Sequence, residues 1–123
     1  KLKPAKEYLR RFYYIPEGME YSKFFIIPEA QMAVIKYKYN ENSVYFHLMG
    51  NEKDLSQGNW KDKEKVQIET LDEVLDVEMG TMSENEEENY YAVWKYKDAY
   101  YELSGQIEKE EIVKILNGMQ YNL

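Results

Sequence analysis

The sequence predicts an α+β domain: a single antiparallel, meander-like, curved sheet of five to seven strands with a C-terminal helix packed on one face. Three observations predict it. Apolar and polar residues alternate at period two through most of the stretch from Phe24 to Ser104, the pattern of half-buried strands. After Gly105 the period changes to 3.6, with Ile112, Ile115, Leu116 and Met119 at i, i+3, i+4 and i+7. Aromatic residues make up 15% of the chain and include 13 Tyr. Tyr suits strands because its ring packs while its hydroxyl reaches water.

Taken in order, Pro4 to Phe12 has the makings of a short helix, with Pro at a first helical position and Ala, Lys, Glu, Leu and Arg after it. Pro16-Glu17-Gly18 breaks the chain. Phe24 to Ile27 is a short apolar run stopped by Pro28. Gln31 to Tyr39 alternates, with Ala33, Ile35, Tyr37 and Tyr39 on one side and Lys36 and Lys38 on the other. Asn40-Glu41-Asn42 is a turn, since Asn tolerates left-handed backbone, and Ser43 to Met49 returns as the partner strand of a hairpin. Residues 50–65 read as a long polar loop pinned by Trp60. Lys65 to Thr70 and Val74 to Met79 are two further strands. Ser83 to Asn89 is a solvated hairpin loop, and Tyr90 to Tyr96 and Tyr100 to Ser104 are the last strands.

The final helix is the best-signalled element. Glu108, Glu110 and Glu111 crowd its first turn, where the helix dipole favours negative charge. With Glu108 as N-cap, Ile107 and Ile112 occupy the positions of a hydrophobic staple, and Asn117-Gly118 is a natural stop. One apolar stripe must be buried, and the sheet is the available partner. At 123 residues there is room for one core. The chain is read as a single domain, 1–123, with 1–13 a basic arm or short helix and 14–119 the α+β core.

Net charge is −7, unevenly placed. Residues 1–65 carry 12 Lys/Arg against 9 Asp/Glu, and residues 66–123 carry 4 against 14. The acidic total disfavours nucleic acid, whose binding depends on neutralising phosphates. The absence of cysteine excludes thiol catalysis, disulfides and thiolate metal sites. No run of 18 apolar residues spans a membrane. The chain opens on Lys1 rather than Met, so an upstream signal or membrane anchor is expected, and membrane attachment is expected only through it.

Residues able to carry chemistry are few. His47 is the only histidine, and without a second one it makes no metal site. No paired nucleophile stands near it in the sequence, so it reads as a partly exposed strand residue replaceable by Gln. Glu84, Glu86, Glu87 and Glu88 lack the spacing of a calcium loop and read as a solvated hairpin tip. No phosphate-binding glycine loop or nucleophile elbow occurs. Catalytic, metal and cofactor sites are therefore expected to be none. The closing hairpin is more suggestive. Tyr90, Ala92, Trp94 and Tyr96 alternate with Tyr91, Val93, Lys95 and Lys97, and Tyr100, Tyr101 and Leu103 follow. One face packs under the helix, and the other is expected to show aromatic rings and lysines to solvent. Trp94, Tyr96, Tyr100 and Tyr101 are the candidate interaction surface, with the exposed edge strand as the other candidate. The plainer reading is that these rings stabilise the sheet as cross-strand pairs.

Three segments carry a resemblance: Tyr14-Ile15-Pro16-Glu17-Gly18-Met19; the hairpin 31–49; and Val93-Trp94-Lys95-Tyr96 through Tyr101-Glu102-Leu103-Ser104-Gly105-Gln106-Ile107, with Lys109-Glu110-Glu111-Ile112 after it. Over residues 14–119 the chain resembles the bacterial domain-of-unknown-function family 4367. Where that family usually has Ser or Thr before Lys-Glu-Glu, this chain has Glu108, a poorer cap. The resemblance implies an extracytoplasmic domain of Firmicute-type surface proteins, lipoproteins or anti-sigma-like proteins, and no catalytic residues. The leading expectation is a non-enzymatic sensing or binding module of a membrane-anchored or secreted bacterial protein, its partner a protein or envelope component. The alternatives are a small carboxylate-based hydrolase, or a structural or oligomerisation domain.

Overall fold

A computed structural model describes residues 11–50, 60–84 and 87–120. The strands are β1 (Arg11–Phe12), β2 (Met19–Ile27), β3 (Met32–Tyr39), β4 (Asn42–Met49), β5 (Lys61–Glu69), β6 (Val74–Glu84), β7 (Glu87–Tyr96), β8 (Ala99–Gly105) and β9 (Met119–Gln120), and the helix α1 is Lys109–Asn117. Strands β2 to β8 make one antiparallel sheet of seven, ordered β2-β3-β4-β8-β7-β6-β5. The expected meander is thus two meanders, β2-β3-β4 and β5-β6-β7-β8, closed where β8 pairs with β4. The register at that seam explains it: Phe46 stands opposite Leu103 and Leu48 opposite Tyr101, so both meanders put large apolar residues under the helix.

The hairpin β3–β4 turns on Asn40, whose φ of 57 is left-handed, as its side chain allows. β2 begins five residues before the apolar run that signals it, because Met19 and Tyr21 continue the ladder opposite Tyr39 and Tyr37. At the other end of β8, Gly105 adopts φ +149 against β4. A Cβ there would meet the Ser43 carbonyl oxygen at 2.5 Å and Val44 Cα at 2.9 Å. Glycine is required both by the dihedral and by the close approach of backbone.

The helix stands where the period change places it. Ile112, Ile115 and Leu116 are fully buried in one cluster with Phe46, Leu103, Ala92 and Val77. Ile107 and Ile112 are both buried, as a staple requires. Glu108 is the N-cap with extended backbone and makes no side-chain cap bond. Its carboxylate instead accepts a hydrogen bond from the Tyr39 hydroxyl at 2.8 Å, which pushes the Tyr39 pKa up to about 12. Tyr14 similarly donates to Glu111 at 2.5 Å. Glu108 thus ties the start of the helix to β3 through Tyr39, and Glu111 ties it to the segment between β1 and β2 through Tyr14.

The helix expected over Pro4–Phe12 is not seen: Arg11 and Phe12 form β1, paired antiparallel with β9, and residues 1–10 lie outside the described residues. Packing decides this end. Phe12 sets its ring edge-on to Phe46, centroids 5.2 Å apart, and to Tyr37 at 6.5 Å. Met119, at the end of the helical stripe, is buried from β9 rather than from the helix. Its carbonyl accepts from the Leu71 N–H at 2.9 Å, so the chain after the helix ties the N-terminal strand to the β5–β6 turn.

Candidate functional site

Alternation sends Tyr90, Ala92, Trp94 and Tyr96 of β7, and Tyr101 and Leu103 of β8, to the helix-covered face. Trp94 and Tyr101 are cross-strand partners stacked at 5.5 Å with an interplanar angle of 6°, and both are buried. Their removal from the candidate surface has a simple cause: they share the parity of the residues beneath α1. Tyr96 is half-buried against the same core, with the Lys97 ammonium 5.4 Å from its ring centroid. Tyr100 alone of the four projects from the opposite face, half-buried under Lys95 at 5.5 Å. The four rings do not form one patch.

The face away from the helix is not the solvated surface the sequence predicts. Val34, Met49, Tyr91 and Glu102 are buried on it. A row crosses its centre through directly opposed residues: Val34, His47, Glu102, Val93 and Glu78, on β3, β4, β8, β7 and β6. Glu102, 5% exposed, is the buried charged residue among those described. Tyr91 donates to Glu78 at 2.5 Å, and burial, followed by that hydrogen bond, raises its pKa well above the ordinary 10. Its ring lies over Gly80, where a Cβ would meet it at 2.5 Å, and Trp60 packs on it at 4.1 Å between centroids. Trp60 so packs on the sheet immediately before β5, which begins at Lys61 where the sequence predicts loop to residue 65; residues 51–59 of that predicted loop lie outside the described residues.

His47 Nδ1 is buried without a hydrogen-bond partner among the described residues. Burial holds the imidazole below its ordinary 6.5, against the opposing charge of Glu102, so His47 is neutral at pH 7. Below about pH 6.5 the unfolded chain takes up a proton that the folded chain refuses, so stability falls with falling pH from there. Thermal melts of wild type and His47→Gln should therefore diverge in slope between about pH 7 and about pH 5.5, the wild type falling more steeply. Parallel curves would mean the imidazole titrates freely. No carboxylate among the described residues accepts from Nδ1, the contact by which a hydrolytic triad orients its histidine. Among the described residues, no group of three His, Asp or Glu is placed to hold a metal. The acidic hairpin tip Glu84–Glu88 falls partly outside the described residues; Glu87 and Glu88 are exposed strand residues.

The β2 edge is one border of the sheet, as β5 is the other. It is nine residues long and ends the sheet, with β3 on one side. Tyr21 is 61% exposed, Phe24 42%, Phe25 36% and Ile26 45%. Phe24 and Ile26 stand on the helix side, opposite Ile35 and Ala33, while Phe25 is on the other face opposite Val34. Large apolar groups are thus exposed on both faces of one edge strand. A bulge interrupts pairing between Tyr21 and Lys23, after which Lys23 to Ile27 runs in regular register.

The family model described as "Domain of unknown function (DUF4367)" matches residues 10–119, nearly the whole described fold. The chain belongs to the DUF4367 family. The match takes in β2, the sheet and α1 together, so in this DUF4367 domain the edge strand is part of the family unit rather than an appendage. Neither the curated proteins nor the solved structures compared with the chain gave a match.

Sequence reasoning names an exposed edge without saying which strand it is. The signal was present in Phe24-Phe25-Ile26-Ile27. An apolar run at both parities ordinarily means burial on both faces. Only the strand order reveals that this run is at the border.

Proposed function

We propose that the domain is a non-enzymatic binding module that takes up an extended segment of a partner protein as an added strand along β2. The observation that carries this reading is the exposure of Tyr21, Phe24, Phe25 and Ile26 along the nine-residue edge strand, in regular register from Lys23 to Ile27. An edge strand presents unpaired N–H and C=O groups, and proteins ordinarily blunt such edges with proline, charge or cover. Here Lys23 and the bulge protect the first half, while Phe24 to Ile27 is left apolar and in regular register. Strand addition draws affinity from main-chain hydrogen bonds and selectivity from side chains on alternate faces. Display outside the cytoplasm, on a membrane-anchored or secreted protein, is the setting we infer from the family resemblance.

The test begins with a random dodecapeptide display library panned against the whole domain. Enriched peptides are then titrated against wild type and Phe25→Lys. The exposed substitution keeps the fold, which circular dichroism checks, and should weaken binding about tenfold or more, the loss of a single apolar anchor. Unchanged binding by Phe25→Lys would refute the edge as the site. A concentration-dependent dimer, lost in the same variant, would instead assign β2 to a second copy of the chain.

A further inference from the structure

We infer that the segment accepted by β2 is acidic as well as apolar, with a carboxylate placed opposite Lys23. This rests on the edge-strand reading above and adds the chemistry of the partner. On the face away from the helix, Lys23 stands directly opposite Lys36 in the β2–β3 register, and Lys38 lies two residues from Lys36 along β3. Like charges directly opposed across strands are destabilising. The next neighbours of Lys36 and Lys38 on β4 are Tyr45 and Ser43, which bring no negative charge. Glu20 opposes Lys38 in register, yet neither Lys36 nor Lys38 has an ion pair among the described residues. The Lys23 ammonium stands 5.8 Å from the ring centroid of Phe25, its neighbour on the same face of the strand.

A strand added to β2 puts one residue directly opposite Lys23 on this face. A carboxylate there pairs with Lys23 and offsets its repulsion from Lys36; an ammonium would make a third cation in the row. The flanking positions of the incoming strand meet Phe24 and Ile26 on the helix side and Phe25 on the lysine side, and apolar residues suit all three. The recognised pattern is therefore one Asp or Glu within an apolar strand of about five to seven residues, the length usual for strands. Nucleic acid and anionic lipid share the attraction to lysine but offer neither the backbone ladder nor side chains for the three apolar positions.

The dodecapeptide library is panned in parallel against wild type and Lys23→Glu. Peptides enriched by wild type should share an Asp or Glu flanked by apolar residues, and those enriched by Lys23→Glu should carry Lys or Arg instead. Replacing the shared acid by Lys should weaken binding to wild type about fivefold, from reversal of one cross-strand charge pair. Peptides that depend on Phe25 but show no acidic preference and no response to Lys23→Glu would overturn the charge inference and leave the edge reading standing. An empty selection, or one indifferent to Phe25→Lys, would overturn both. Competition by oligothymidine or by phosphatidylglycerol vesicles at equal charge concentration would show a generic cation row, contrary to the inference.

Discussion

Leu116→Ala should destabilise the domain by about 2–5 kcal/mol, the range for truncating a large buried side chain in a core that relaxes only in part. Leu116 is 0% exposed and lies in the cluster formed by α1 and the centre of the sheet. The helix is nine residues long, too short to be stable alone. Its formation depends on burying Ile112, Ile115 and Leu116 together, so removing one weakens both helix and sheet. Urea denaturation measures the effect, as a lower midpoint with the slope nearly kept. A loss below about 0.5 kcal/mol, the usual range for surface changes, would mean that the stripe does not pack on the sheet.

Gly105→Ala should cost a comparable amount by another route. A φ of +149 lies in a region nearly confined to glycine, and strain of this kind costs about 1–3 kcal/mol. The new methyl would also press on the Ser43 carbonyl and Val44 Cα, both backbone atoms of β4 with little freedom to move away. Because β4–β8 is the seam joining the two meanders, relief requires opening that seam. We expect a loss of about 3 kcal/mol or more by the same denaturation experiment, strain and overpacking together. Serine here should be as damaging as alanine, since the conflict is at Cβ. A Gly105→Ala protein as stable as wild type would show that the seam is loose.

What could be read from the sequence follows from the range of the forces concerned. The helix, its staple and its stop are local, written within Ile107 to Gly118. The hairpin 31–49 is equally local, set by alternation and by Asn40. The seam between β4 and β8 joins residues 51 to 61 apart, and no local pattern specifies it. That seam decides which strands end the sheet, and so decides that Phe24 to Ile27 is exposed. Helix propensity over residues 4–12 is a local signal, and at its described end, Arg11 and Phe12, pairing with Gln120 and Met119 more than 100 residues away decides for strand. Trp94 and Tyr101 enter the candidate surface because alternation gives two faces without saying which lies under the helix. The opposition of His47 and Glu102 needed the β4–β8 register as well. Even the cap has a tertiary reason, since Glu108 serves Tyr39 rather than the helix end.

Amide hydrogen exchange along Met19–Ile27, measured with and without a saturating peptide selected from the library, tests strand addition most directly. In the free domain, amides of β2 bonded to β3 should be slow, and the alternate ones facing outward should exchange rapidly. With peptide bound, the outward amides from Lys23 to Ile27 should slow markedly while their neighbours change little. Protection appearing instead around Tyr91, His47 and Glu102, with the outward amides of β2 still fast, would contradict the account and move the binding site to the sheet face.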